Sequence, residues 1–392
     1  MTDAPPRHRG LGPLGSRKEG IPLGRIAGIP VYLAYSWFVI AGFTVLAVGP
    51  ALQLQNRSLG FSAYLVAFAY ALLLAVSVLV HELAHALSAK AFGWPTEKIV
   101  LNLWGGHTQF ESFVASPGRS VVVAMAGPAA NFALSGATWL LISADVLSGV
   151  ADMLVNIFMW ANFLIAIFNV LPGLPLDGGR LIESAVWKAT GSQDKGTIAA
   201  GWAGRVIVVG LVFWFLVRPF LQGLRPDTSQ MIITVLVCGF LWMGATAAIR
   251  QGQMRSRLPR VNAAELAEPA VGVPETATVA EIYPLAGPEG PAIVLTSVAD
   301  GRPVGVVDPE ALRRVPPAQA AGLPITTVAH RLEAGAYVPQ TAHGQELIQY
   351  LAKLTGGEYA VIDDAGTVTG LLRQYAVVMA ITGKDRRDNG TR

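Results

Sequence analysis

The chain has 392 residues, of which 52% are hydrophobic and only 14% are charged, and its mean hydropathy is +0.47. Soluble domains carry about 25% charged residues, so this composition predicts a membrane protein. The formal net charge of +3 is divided unevenly. Residues 1–260 have 19 Lys and Arg against 11 Asp and Glu, and residues 261–392 have 10 Lys and Arg against 15 Asp and Glu. Neither part has the dense basic clusters of a nucleic-acid-binding protein.

Six apolar segments each have about the 20 residues that a membrane-spanning helix requires. Residues 1–30 precede them as a segment rich in Pro, Gly and Arg, without the continuous apolar core of a cleavable signal peptide. We therefore predict an α-helical polytopic membrane domain over residues 31–250. Its six spans are predicted at residues 31–52, 62–92, 119–143, 152–173, 202–222 and 230–249.

The basic residues that flank these spans orient them. Most lie on the side that the two termini share, and the opposite side has only Arg57, Arg218 and Arg225. Loops rich in Lys and Arg stay in the cytoplasm. We therefore predict a multi-pass protein of the plasma membrane, with both termini and residues 1–30 in the cytoplasm.

A His-Glu-Leu-Ala-His pentad lies in the second predicted span, from His81 to His85. Histidines four residues apart on a helix face the same side, where both can bind one zinc ion. Glu82, between them, can then accept a proton from water. Ionisable residues within a membrane span are costly and usually functional. The pentad therefore indicates a zinc hydrolase that acts within the bilayer.

A third zinc ligand is needed, because catalytic zinc usually takes three protein ligands. The best candidate is Asp177, which follows the fourth predicted span on the side where the pentad lies. Pro172 and Pro175 break the helix before it, and Gly178 and the next glycine allow the backbone to turn tightly. The pentad and Asp177 are thus predicted to lie at the same depth in the membrane.

Together the two motifs strongly resemble the site-2 protease family of intramembrane metalloproteases, over about residues 20–250. The family pairs His-Glu-x-x-His on one span with Asn-x-x-Pro and Leu-Asp-Gly on a later one. The resemblance implies one zinc ion per chain, bound by the three candidate ligands, with Glu82 as general base and Asn169 steadying the oxyanion. It also implies regulated intramembrane proteolysis, in which zinc-activated water cleaves the transmembrane segment of a membrane-anchored protein.

Two further segments match the family. Residues 99–110, which contain His107, are predicted to form a strand or hairpin. Its edge could accept an extended substrate, or the hairpin could simply cap the bundle. We interpret His107 as a loop histidine rather than a fourth ligand. Residues 124–131 have small side chains that favour close helix packing, and Asn131 offers a buried hydrogen bond.

The C-terminal part changes character after a predicted linker at residues 251–262. Residues 263–385 alternate short strands and helices, and residues 358–370 resemble a cystathionine-β-synthase-type (CBS) domain, with a weaker copy at 291–312. This predicts a small cytoplasmic α/β domain, a degenerate CBS pair, followed by a polar tail at 386–392. The adenosine-binding positions depart from the CBS pattern, which favours homodimerisation or substrate gating over nucleotide sensing; they hold Asp308, Ala311, Arg373 and Ala376.

Two other classes of function remain open at this stage. One is a catalytically silent family member that binds membrane proteins, against which the intact pentad and Asp177 argue. The other is a transporter or channel gated by the CBS pair. That function would need polar residues along a pore, whereas these spans concentrate their charges at one site.

Overall fold

The computed structural model describes residues 20–102, 105–110, 116–224, 227–285, 287, 290–354 and 356–383. The chain divides into two compact units, Met1–Arg250 and Gln251–Arg392. The first unit contains a helical bundle and a small sheet, and the second is an α/β unit. The predicted fold class is confirmed in its architecture, a polytopic bundle of long apolar helices followed by a small α/β domain.

Six long helices and one short helix, α5, are described in the first unit, and α7 continues into the second. All except α5 are long and apolar enough to cross a membrane, which makes six candidate spans among the described residues. The short α5 packs along α6, where the Glu183 carboxylate accepts a hydrogen bond from Thr197 Oγ1 at 2.9 Å. The helices are α1 Trp37–Gln55, α2 Ser62–Ala91, α3 Pro117–Ser143, α4 Gly149–Val170, α5 Gly179–Thr190, α6 Gln193–Leu221 and α7 Thr228–Arg257.

Three predicted boundaries differ from the structure by six residues or more. The first span begins at Trp37 rather than at residue 31, because Ile29–Leu33 is a strand. α6 begins before the predicted residue 202, since its first turns are too polar to be recognised as part of a span. α7 continues to Arg257, so most of the predicted linker at 251–262 is helical. Helical hydrogen bonding does not stop where the apolar residues stop.

A four-stranded sheet lies against the second half of α2. The order is β1-β2-β3-β4, with β2 and β3 parallel and the outer pairs antiparallel. Ile29, Val31, Ile99 and Leu101 are buried together with Ala86 of α2. The predicted hairpin after the second span is therefore confirmed, and the sheet packs beside the pentad. The strands are β1 Ile21–Ile26, β2 Ile29–Leu33, β3 Thr96–Asn102 and β4 Gly105–Phe110.

The second unit consists of two copies of a β-α-β-β-α arrangement joined in one sheet, to which Ala329–Arg331 adds a seventh strand at one edge. In each copy the first two strands are parallel and the last two are antiparallel. The strands are β5 Glu268–Pro274, β6 Ala292–Thr296, β7 Pro303–Val307, β8 Ala329–Arg331, β9 Tyr337–Pro339, β10 Glu358–Ile362 and β11 Val368–Arg373. The helices are α8 Ala263–Leu266, α9 Val279–Ile282, α10 Pro309–Arg313, α11 Pro317–Ala320, α12 Gly344–Ala352 and α13 Gln374–Thr382.

Two of the four positions that depart from the adenosine-binding pattern, Asp308 and Arg373, have structural partners. Arg373 forms an ion pair with Glu268 at 3.1 Å, which links strands of the two copies, and another with Glu358 at 3.3 Å within its own copy. Asp308 caps α10, since its carboxylate accepts the Glu310 N–H at 2.8 Å. Both side chains therefore take part in holding the repeat together.

Candidate active site

Three potential metal ligands meet where α2 passes the loop after α4. His81 and His85 lie one turn apart and are 6% and 8% exposed. Asp177 Oδ2 is 2.9 Å from His81 Nε2 and 3.2 Å from His85 Nε2, and the two Nε2 atoms are 3.0 Å apart. Within the part of the chain that the structure describes, this is the one group of three or more His, Cys, Asp or Glu side chains with ligand atoms within 4.8 Å.

The chemistry of this donor set suits zinc. His81 Nδ1 is 2.5 Å from Asn131 Oδ1, and His85 Nδ1 is 2.7 Å from Val123 O. Amide and peptide oxygens only accept hydrogen bonds, so each ring donates through Nδ1 and presents the Nε2 lone pair to Asp177. Two lone pairs and a carboxylate oxygen at contact distance repel one another unless they share a cation. Two histidines and one carboxylate are a known set of catalytic zinc ligands.

Glycine lets the loop after α4 fold back toward the histidines. α4 ends just before Pro172, and the Gly178 N–H donates to Asn169 O at 2.6 Å. A Cβ on Gly178 would lie 2.5 Å from Leu171 O, so a larger residue does not fit without moving the backbone. The turn brings Asp177 under α2, from a position 92 residues away from His85 in the sequence.

Glu82 lies beside the ligands at a cavity of about 340 Å³. The cavity is also lined by His81, Asp177, Asn169 and Gly106. Glu82 is 8% exposed, and a Cβ on Gly106 would lie 2.5 Å from its Cγ. Strand β4 therefore passes directly over the glutamate and limits the conformations that its side chain can adopt.

Asn169 reaches the same cavity from the last turn of α4. One N–H of its amide donates to Ile165 O at 3.0 Å, which is a hydrogen bond within its own helix. The amide has a second N–H that this bond does not use. The structure thus places Asn169 beside the other predicted site residues, and its role in catalysis stays a prediction.

The strand segment places its histidine differently from the prediction. The backbone of His107 lies in β4, opposite Val100 of β3, rather than in a loop. Its side chain lies outside the described part of the structure.

Sequence reasoning missed two features of the site, and both lie in the segment interpreted as helix packing. Asn131 contacts His81 directly, and Gly127 lies so close to both rings that a Cβ there would be 2.7 Å from His81 Nε2. The signal available in the sequence was the spacing of Gly127 and Asn131, because residues four apart lie on the same face of a helix. Nothing in the sequence alone shows which helix that face contacts.

Comparisons with known proteins find similarity to zinc metalloproteases. The model of Peptidase family M50 matches residues 69–151 and 143–217. A putative zinc metalloprotease of Synechocystis is 27% identical over 93% of this chain and 96% of its own length. The putative zinc metalloprotease Rip3 of Mycobacterium tuberculosis is 29% identical over 93% of each chain. The solved structure of the site-2 protease of Methanocaldococcus jannaschii is 27% identical, over 59% of this chain and 95% of its own, with a TM-score of 0.42.

Proposed function

We propose that this chain cleaves transmembrane segments of membrane-anchored proteins, as a membrane-embedded zinc metalloprotease of the site-2 protease family, peptidase family M50. The observation that carries the proposal is the meeting of His81, His85 and Asp177 beside Glu82. The pentad is part of an apolar helix long enough to span a bilayer. A hydrolytic site at that depth suits a peptide bond that also lies in a membrane span.

The proposed catalytic roles follow from the positions of the side chains in and beside the cavity. His81, His85 and Asp177 would hold one zinc ion per chain. Zinc, when bound, supplies a Lewis acid that lowers the pKa of water to about 7 and polarises a carbonyl. Glu82 accepts the proton of the attacking water and returns it to the departing amine. The unused N–H of Asn169 donates a hydrogen bond to the carbonyl oxygen as it becomes negatively charged.

The small sheet provides a surface on which a substrate can be presented. A helical substrate keeps its peptide bonds in its own hydrogen bonds, so it has to become extended before it is cleaved. β4 is the terminal strand in the order of the described sheet, and its Gly106 lies against Glu82. A substrate segment that pairs with the outer edge of β4 would pass alongside the general base.

The charge distribution supports an orientation for the site. Basic residues are concentrated on the side that the two termini share, which supports cytoplasmic termini in a protein of the plasma membrane. Cleavage near that side would release a cytoplasmic fragment, as in regulated intramembrane proteolysis. The CBS pair would then act on the cytoplasmic side, as a dimerisation or gating domain.

Reconstitution with candidate substrates tests the proposed function. Purified full-length protein in liposomes should cleave some members of a library of single-span proteins, and masses of the products should place the cut within the apolar segment. A metal chelator should stop the reaction, and added zinc should restore it. Products cut only outside the apolar segments, or cleavage that survives chelation, would contradict the proposal.

Removal of the ligands is expected to remove the metal. Purified protein should contain close to one zinc ion per chain, and His81→Ala, His85→Ala or Asp177→Ala should each lose most of it, because three protein ligands are needed to hold catalytic zinc. Metal analysis by mass spectrometry measures this directly. Asp152→Ala is the matched control, since it removes a carboxylate from the first turn of α4 and should retain zinc. Full zinc content in Asp177→Ala would mean that another residue is the third ligand.

A further inference from the structure

Three fully buried polar side chains lie behind the metal ligands, on the side away from the cavity. Ser77 of α2, Asn131 of α3 and Asn162 of α4 are each 0% exposed. None of them lines the catalytic cavity. Burying an amide among apolar helices costs free energy unless its hydrogen bonds are made, so their partners show what these residues do.

The three side chains form one continuous chain of hydrogen bonds that ends on a metal ligand. Ser77 Oγ donates to Leu73 O at 3.0 Å and accepts from Asn162 Nδ2 at 3.0 Å. Asn162 Oδ1 accepts from Asn131 Nδ2 at 2.6 Å. Asn131 Oδ1 then faces His81 Nδ1 at 2.5 Å. The chain thus crosses three helices and reaches the first histidine of the pentad.

The direction of every bond is fixed by backbone groups. Asn131 Nδ2 also donates to Ser77 O at 3.3 Å, and Asn162 Nδ2 also donates to Phe158 O at 2.8 Å. A peptide oxygen only accepts, so neither amide can be flipped without placing two oxygens in contact. Asn131 therefore presents its oxygen, not its nitrogen, to His81.

The orientation of Asn131 determines which nitrogen of His81 is available. Its oxygen requires an N–H at His81 Nδ1, which leaves the lone pair on Nε2, the atom that faces Asp177. His85 is held in the same state by the carbonyl of Val123. The partner of His81 is a side chain, whereas the partner of His85 is a backbone carbonyl. A substitution can therefore remove the partner of His81 but not that of His85.

We propose that Asn131 is a positioning residue, which holds the ring plane and the tautomer of His81 through the Asn162–Ser77 chain and thereby sets the affinity of the site for zinc. This inference rests on the proposed function. Outer partners of metal-binding histidines typically contribute about 10–100-fold to metal affinity. Asn131 does not line the catalytic cavity, so it acts on the site through the His81 ring.

Two variants at this position separate positioning from packing. Asn131→Leu removes the acceptor for His81 and should weaken zinc binding about 10–100-fold. Asn131→Asp keeps an oxygen toward His81 but loses the donor toward Asn162 and Ser77 O. It should bind zinc much more tightly than the leucine variant while its unfolding temperature falls. Ser135→Ala is the control, since Ser135 is a buried residue one turn further along α3 and should leave both properties unchanged.

The measurements are made on purified full-length protein without a substrate. Competition with a chromogenic chelator gives the zinc dissociation constant, thermal unfolding gives stability, and visible absorption of the cobalt(II)-loaded protein reports the ligand geometry. We expect Asn131→Leu to alter the cobalt spectrum and Asn131→Asp to restore it. If leucine prevents folding, Asn131→Ala takes its place, because it adds no bulk between the helices.

The outcomes distinguish this inference from the proposed function. Wild-type zinc affinity in Asn131→Leu, or equal loss of affinity in the leucine and aspartate variants, would overturn the positioning role even if His81→Ala abolishes zinc binding. If His81→Ala left zinc binding intact, the metal site itself would be wrong and the proposed function would fail with it.

Discussion

Glu82→Gln is expected to retain zinc and to lose proteolysis by about two or more orders of magnitude, the typical contribution of a general base. Glutamine matches glutamate in size and can keep its place under Gly106, where little space is available. It cannot take a proton from water. The measurement is single-turnover cleavage in liposomes, with zinc content determined on the same sample.

The control for this variant removes a carboxylate elsewhere in the same region. Glu97→Gln lies on the exposed side of β3 and should leave both zinc content and cleavage unchanged. Loss of cleavage in both variants would point to a general electrostatic effect on the site. Turnover near the wild-type rate in Glu82→Gln alone would remove this residue from the mechanism.

Much of this architecture could be predicted because the bilayer imposes a simple rule on the sequence. Spans need about 20 apolar residues, and all six were found in the correct order. The pentad and Asp177 could be paired from their motifs because a catalytic zinc site needs a third ligand. The distance of 2.9 Å between His81 Nε2 and Asp177 Oδ2 depends on long-range packing, and the spacing of the motifs alone does not predict it.

The features that could not be predicted depend on contacts rather than on composition. Residues 31–33 are predicted as the start of the first span, since a short apolar segment does not distinguish strand from helix, yet they form the end of β2. The pairing of β2 with β3, more than 60 residues later in the sequence, makes this segment a strand. Asn131 lies 50 residues from His81 in sequence, and only the packing of α3 on α2 shows that the asparagine faces the ring.

Gly127→Ala is expected to disrupt the metal site although it removes nothing from it. A Cβ at this position would lie 2.7 Å from both Cε1 and Nε2 of His81 and would also press on Nε2 of His85. Real Cβ contacts are almost never shorter than 3.0 Å, so the rings would have to move away from Asp177. Zinc affinity should fall by at least the ~10–100-fold that follows the loss of a ring's outer partner, as measured by chelator competition.

The same helix offers a control that separates this steric effect from a change in the helix itself. Alanine stabilises a helix interior by about 1 kcal/mol relative to glycine, so the substitution by itself favours α3. Gly136→Ala lies on α3 with nothing within 4 Å of its Cβ position and should keep wild-type zinc affinity, with equal or higher stability. A Gly127→Ala protein that binds zinc as tightly as Gly136→Ala would show that α2 and α3 can separate at little cost. Weak binding in the first variant alone would show that the closeness of the two helices is what holds the histidines in place.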